Sequence, residues 1–399
     1  MSFENLVTRR NFLNKLEAFI PRVSEYDRTR NFVMVGHRNV SQLSCAIRHR
    51  LISEFEVIDR VRESGHSPGS EKFIQEVCWR LYWKSRLQQQ PHIWKDFVAQ
   101  SQIPPQPKFQ KRIEQIENAA TGIEFVDAFV RELKLTGYLH NHARMWFAGW
   151  WVHDETLPWA HGAGFFLRHL IDGDPASNTL SWRWVAGLHT PGKTYRARAS
   201  NIKRCMDPAY SENLEVGLNC LSEEGDPQPV EGQLNFPIIR PDWRPLSDLR
   251  IEKTERCGLL IHLEDASPES THLAKHQFSA VAAYGSGHWM DSSQVVIRFK
   301  VKVMEDTVLR AEDTWKLTPS IKYSPEEVVS WAKENQLERV VAIQPMTGTL
   351  QDDVSQINHH LSHSSIKLDL YARDEDLTWI SLADAGFFKF WKGMREKCL

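Results

Sequence analysis

Two stretches of this chain carry more chemistry than packing requires. In LIDGDPASNTLSWRW (170–184), Asp172 and Asp174 flank Gly173, Asn178 follows four residues on, and Trp182 and Trp184 close the segment. Carboxylates around a glycine commonly make a turn with no ligand, so the segment alone permits a structural reading. In TGYLHNHARMWFAGWW (136–151), His140, His142 and Arg144 share one predicted helix with Trp146, Phe147, Trp150 and Trp151. A helix that served only a core would need neither the histidines nor the arginine. One face is therefore expected to meet a polar ligand and the other to pack.

Three further groups bear on function. The run HTPGKTYRARASNIKRC (189–205) holds Lys193, Arg196, Arg198, Lys203 and Arg204 with no acid among them. Such a run is usually a solvated face, but directly after Trp184 it is also placed to meet phosphates. His359 and His363 have metal-ligand spacing and His360 lies between them, yet no further ligand stands nearby, so these side chains are read as solvated and no metal is assigned. The six cysteines are scattered without a C-x-x-C pair. That pattern supports neither a zinc knuckle, nor an iron–sulfur site, nor a disulfide framework, and free thiols in a reducing cytosol are expected.

The elements that must position these groups fall into two kinds. Up to about residue 210 the pattern is helical: GIEFVDAFVREL spaces Ile123, Val126, Phe129, Val130 and Leu133 along one helix face, and Gly137 ends that helix. FFLRHLIDGD predicts another helix that ends in a turn at Gly173. Residues 211–255 hold several Pro and Gly without sustained period and read as a linker. Beyond them GLLIHL (258–263), SAVAAY (279–284), RVVAI (339–343) and KLDLY (367–371) predict strands separated by helices, the alternation of a parallel α/β sheet. SPEEVVSWAKENQ predicts a capping box from Ser324 and Glu327, with Pro325 at the first helical position. No G-x-G-x-x-G opens this half, so a dinucleotide role for it has no support.

Length and composition agree with a two-domain globular protein: 399 residues, 41% hydrophobic, 25% charged, net charge −2. No apolar run approaches the roughly 20 residues that span a bilayer, and MSFENLVTRRNFLNKLEAF lacks the apolar core of a secretory signal. A cytoplasmic monomer is expected. The 15 tryptophans are the compositional oddity, and most are expected in the core.

TGYLHNHARM followed by FFLRHLIDGDPASNTLSWRWVAG resembles the flavin-binding region of the cryptochrome and DNA photolyase family. EYDRTRNF, VSQLSCAI and FIQEVCWRLYW resemble further blocks in the family's order, so the likeness runs from residue 6 to about 208. It implies an α + α/β protein: an all-helical FAD-binding domain (1–210), then a flavodoxin- or Rossmann-like parallel α/β domain (256–399). ADAGFFKFWKGM and DLYARDEDLTWI resemble the end of the antenna domain that precedes the flavin domain in ordinary photolyases, which implies a circular permutation and leaves a second, antenna chromophore as an open expectation.

Residue by residue, the resemblance implies that Tyr26, Val40, Ser41, Gln42, Leu43 and Ser44 hold the FAD phosphates and that Arg80 lies on the flavin side. Arg144 would pair with Asp172 beneath the flavin, with Gly173 in the turn; Asp174 would reach the ring or ribityl edge and Asn178 would face flavin N5. A neutral amide there suits a reduced, anionic ring better than a carboxylate does. Glu76, Trp79, Asn141, Met145 and Trp184 fall where photolyases contact a cyclobutane pyrimidine dimer in DNA, and Trp79 and Trp184 would replace the stacking a flipped base loses. His142, Lys193, Arg196 and Arg198 are the expected DNA contacts. Trp182 and Trp159 match the electron relay. Three positions depart from the family pattern: Val40 replaces a Thr, His142 an Arg, and Ile116 the surface Trp of the relay, for which Trp150 or Trp151 is a candidate substitute. The implied activity is light-driven, FAD-dependent dimer repair. Its rivals are a cryptochrome-type sensor that binds FAD without repair, and a fold retained only for binding DNA or partners.

Overall fold

Gly137 sits at φ +69° and closes the helix Glu124–Thr136 with its N–H on Leu133 O. Ile171 stands where its Cβ would be, so both the turn and the close approach require glycine. The computed structural model describes residues 7–211, 213–286 and 291–399. The first six residues of the N-terminal segment and residue 212 of the expected linker lie outside the described residues.

Four helices frame the site. Pro68–Gln89 starts at Ser67, whose hydroxyl accepts from Ser70 N while Ser70 Oγ accepts from Ser67 N. The next, Asn141–Gly149, is capped by His140, whose Nδ1 accepts from His142 N. The single helix expected to reach residue 151 instead passes at Trp150 into one π-helical turn, Trp150–Asp154. That widening seats Trp150 and Trp151 fully inside the core. Trp159–His169 and Pro175–Val185 pack together at Gly162, where any Cβ would fall 2.4 Å from the Trp182 ring.

Between the halves, the described residues of 211–255 form no regular helix or strand beyond turns, among them the three-residue 3-10 turns Leu218–Cys220 and Leu246–Asp248, and a single bridge from Pro245 to Ala372. The segment is nonetheless tied down: Val230 N donates to Ala186 O (3.0 Å), Ile239 N to Gln89 O (2.7 Å), and Leu218, Leu221, Leu246 and Leu249 are buried.

The second half is a five-stranded sheet of β1 (Cys257–His262), β2 (Ala280–Tyr284), β3 (Ser320–Lys322), β4 (Arg339–Ile343) and β5 (Lys367–Tyr371). Its order is β3-β2-β1-β4-β5 and every pairing is parallel. The expected α + α/β class is the one observed. Two details differ. Strand β3, only three half-buried residues long, has too little apolar pattern to be read from sequence, and β1 passes to β2 through short 3-10 turns, Pro268–Ser270 and His272–Lys275, where a helix was expected. The predicted capping box is also half formed: Ser324 Oγ accepts from Glu327 N, but the Glu327 carboxylate reaches back to Tyr323 N (2.8 Å).

The carboxyl ends of β1 and β4, where the strand order reverses, face the helical half directly. His49 Nδ1 meets Leu263 O (2.7 Å), Arg48 pairs with Glu264 (2.9 Å), and Thr347 N and Oγ1 both donate to Gln88 Oε1. Beside them Arg50 binds Asp376 through two nitrogens, Arg373 binds Asp265 likewise, and Lys84 pairs with Glu54 (2.7 Å). All six of those charged side chains are buried. The last helix, Phe387–Cys398, returns to pack on Pro68–Gln89.

Candidate functional site

The helical half, joined by residues 386–389 at the start of the last helix, lines a cavity of about 1150 Å³, above the range of about 300–1,000 Å³ that small-molecule sites usually occupy. Every residue expected to touch cofactor, dimer or DNA lines it, from Tyr26 to Arg198. Of the expected relay, Trp182 lines it and Trp159 does not.

Its floor is ionic. Arg144 Nη2 reaches both oxygens of Asp172 (3.0 and 2.9 Å), while Arg144 Nε donates to Leu139 O (2.8 Å), so the guanidinium is fixed at two points. Asp172 is buried; burial alone would raise its pKa, but Arg144 holds it below the usual carboxylate range. Asp174 caps the helix Pro175–Val185 by accepting from Ser177 N (2.7 Å). Burial opposes its charge, yet Arg48, Arg80 and Lys84 outweigh burial and bring its pKa to about 2. Arg48 Nε lies 3.6 Å from Asp174 and 3.1 Å from Gly173 O. Both carboxylates are therefore ionised at neutral pH and immobilised by cations.

Asn178 stands between floor and wall. Its Nδ2 donates to Ala163 O (2.9 Å), which fixes the amide, and the residue lines the cavity. The oxygen of such an amide is an acceptor that suits an N–H on a bound ring. In the loop after Val40, Gln42 adopts φ +52° and spends its side chain on Gly36 O and His37 O. Gln42 thus shapes the loop through its own backbone contacts, and Ser41 Oγ accepts from Leu43 N (3.4 Å).

The wall is aromatic. Trp184 packs against Tyr195 at 5.7 Å, and Asn141 and Met145 touch through Nδ2 and Sδ (3.9 Å). Trp79 is stacked flat on Phe387 at 3.6 Å with 7° between the ring planes, so one of its faces is already covered. Glu76 pairs with Lys72 (3.0 Å) and Arg30 (3.3 Å), which holds its carboxylate at the rim.

The expected DNA contacts divide. Lys193 is exposed at the rim. Arg196 pairs with Asp154 (3.3 Å), and Arg198 with Asp226 (3.1 Å) as well as Glu223 O and Gly225 O, so the acids absent from the basic run come from elsewhere in the chain. His142 lies against Trp146 at 4.3 Å with the rings tilted by 31°, and its Nδ1 meets Asn31 O (2.7 Å); burial lowers its pKa, which favours the neutral form.

Trp182 meets Phe166 (5.2 Å) and Trp151 (6.2 Å, edge on), while Trp159 sits beside Phe97 (5.8 Å) with Arg183 over its ring. Ile116 is wholly buried. His359, His360 and His363 are exposed or nearly so on and just beyond the helix Thr349–Ser362, and among the described residues no cluster of three or more metal-ligating side chains forms. Nor is any described helix long and apolar enough to cross a membrane.

The sequence reading missed Arg30, His189 and Phe387, all of which line the cavity. It also missed Arg48, which grips Asp174 from behind. A buried Arg in the apolar context SCAIRHRLI was a usable signal; for Phe387, far along the chain, there was none.

An FAD would fit these residues. The cavity is large, its cations and carboxylates are fixed, and Arg80 Nη1 is buried with no hydrogen-bond partner, a donor that a bound polar group would satisfy.

Residues 73–212 match the family described as the FAD binding domain of DNA photolyase. A deoxyribodipyrimidine photo-lyase from Streptomyces griseus is 32% identical over 160 residues, 39% of this chain and 34% of that protein. A cryptochrome DASH, chloroplastic/mitochondrial, from Ostreococcus tauri is 28% identical over 208 residues, 51% of this chain and 37% of its own length. Among solved structures, a bacterial class III photolyase from Agrobacterium tumefaciens aligns at 25% identity and a TM-score of 0.44, over 51% of this chain and 44% of its own. The chain spans little more than a third of the length of these two curated relatives.

Proposed function

We propose that residues 73–212, which match the FAD binding domain of DNA photolyase, bind FAD and that the protein repairs cyclobutane pyrimidine dimers in DNA by light-driven electron transfer. The observation that carries this reading is one cavity with an ionic floor, a neutral amide and an aromatic wall. Reduced FAD, when bound, supplies the photoexcited electron that opens the dimer and then accepts it back. The chain's share is positioning. Arg144 and Asp172 would set a charge pair against the flavin, Asn178 would offer an amide without adding a second negative charge, and Tyr26 with residues 40–44 and Arg80 would hold the phosphates and the flavin side.

Above them Trp184 and the free part of Trp79 would stack on a flipped dimer. Asn141 and Met145 fill the space between, and the Glu76 carboxylate would accept from a base imide N–H. Lys193 would meet a phosphate at the rim. For electron supply, Trp151 adjoins Trp182 while Ile116, at the expected surface position, carries no ring, so a relay from Trp182 through Trp151 would leave the family pattern. In this reading residues 1–210 are the flavin domain, 211–255 the connection and 256–399 an antenna-type domain placed behind instead of in front.

A second reading, a sensor that binds FAD without repair, draws on the stacking of Phe387 over Trp79 and on the neutralised Arg196 and Arg198. The experiment is to record the absorption of purified protein and then illuminate it with blue light alongside dimer-containing single- and double-stranded oligonucleotides. Restored thymines support repair. Flavin without repair leaves the sensor, and colourless protein that refuses added FAD removes both. Glu76→Ala is expected to lower repair yield several-fold while bound FAD stays; loss of flavin in that variant would show that Glu76 has been misplaced.

A further inference from the structure

Two thiols meet where the last helix lies on the helix that carries the aromatic wall. Cys78 Sγ and Cys398 Sγ are 3.9 Å apart and both residues are buried. Cys78 immediately precedes Trp79. At the other end of the C-terminal helix, Phe387 lies flat on that same Trp79. The two cysteines therefore tie one end of an element whose other end forms part of the cavity.

We propose that Cys78 and Cys398 are a redox site that closes to a disulfide, fastening the C-terminal helix to the cavity helix. A disulfide needs its sulfurs at about 2.05 Å, so the pair must close by roughly 2 Å, within reach of a side-chain rotation with a small helix shift. Access is one-sided. Cys398 is flanked by exposed Lys397 and Leu399, so loosening the last helical turn uncovers it, whereas Cys78 lies inside a long helix. The hydrogen bond from Cys78, aided by the nearby Arg62 guanidinium, favours the thiolate on Cys398, and the same hydrogen bond raises the Cys78 thiol.

The co-reactant is a low-molecular-weight disulfide such as oxidised glutathione. Cys398 Sγ attacks one of its sulfurs; a Cys398–glutathione bond forms, the glutathione S–S bond breaks, and one glutathione thiol leaves with the proton that Cys398 gave up. Cys78 Sγ then attacks Cys398 Sγ. The Cys78–Cys398 bond forms and the second glutathione leaves, taking the proton from Cys78. Two cysteines lose two electrons in all, and one oxidised glutathione becomes two reduced ones. Phe387 already lies on Trp79 with the thiols open; the closed form fastens the helix that carries Phe387 and so restrains that contact.

The test needs neither flavin nor DNA. Full-length protein is incubated with oxidised glutathione, quenched with N-ethylmaleimide and analysed by intact mass and peptide mapping. The expected product is lighter than reduced protein by two hydrogens, yields a Cys78–Cys398 linked peptide, and reverts with dithiothreitol. Cys78→Ser should stop at a glutathione adduct on Cys398, and Cys398→Ser should give no linked peptide. Hydrogen exchange across 387–398 should slow in the closed form. The proposal is overturned if native oxidised wild type carries maleimide on both Cys78 and Cys398, if another pair links instead, or if exchange across the helix does not change.

Discussion

The two halves of this molecule treat their natural ligand crevices in opposite ways. In the helical half the space between helices stays open, a cavity of about 1150 Å³ among fixed charges. In the α/β half the carboxyl ends of β1 and β4, the place where open parallel sheets take ligands, are filled by Arg48, His49 and Gln88 of the helical half. An antenna chromophore at that strand end would have to displace those side chains. The second half thus serves as a foundation: through Glu264 it anchors Arg48, and Arg48 anchors Asp174 at the cavity floor.

That contrast can be broken most forcefully at its seam. Arg50→Ala leaves Asp376 buried with an unmet charge, while Asp265 keeps Arg373, and is expected to cost about 3–5 kcal/mol in urea unfolding. A loss below about 1 kcal/mol, the range of surface pairs, would mean that the halves merely touch.

Acid should act on the same seam and on the cavity together. Burial lowers the pKa of His49 at the seam and His140 at the cavity to about 3. The unfolded chain binds these protons near pH 6.5 and the folded chain does not, so stability is full above about 6.5 and falls as pH drops toward about 3, by about 1.4 kcal/mol per pH unit for each histidine. Asp172 and Asp174, held ionised by their cations, extend the loss below about pH 4. Unfolding curves between pH 7 and 4 measure this, and a flat stability down to pH 5 would contradict it.

Within the cavity, Asp172→Asn removes the charge that Arg144 binds and is expected to weaken FAD binding by about 1.5–3 kcal/mol, read by flavin titration. Retained affinity would place the ring elsewhere. Finest of the tests, Trp184→Ala should weaken dimer-containing DNA by about 1–3 kcal/mol while flavin stays bound; equal loss of undamaged DNA would assign Trp184 to general packing.

Much of this was readable along the chain because local spacing carries it. Asp172, Asp174 and Asn178 lie within one turn and the helix it starts, and Arg144 is placed by its own helix, so their grouping needed only periodicity and a resemblance. Four of the five strands were legible as short apolar runs. Strand β3, with three half-buried residues, exists because Ala282, Ala283 and Tyr284 offer it a free edge to pair with. The basic run around residue 196 looked unopposed only because Asp154 and Asp226 arrive through folding.

Sequence by itself determined which segments coil or extend and which side chains could face one ligand, since those properties depend on neighbours a few residues away. Tertiary structure alone decided that Phe387 covers Trp79, that Cys398 meets Cys78, and that Arg48 reaches both Asp174 and Glu264. Each is a contact between residues more than a hundred positions apart, set by how large apolar faces close on one another, and no short-range pattern encodes which distant partners that closure brings together.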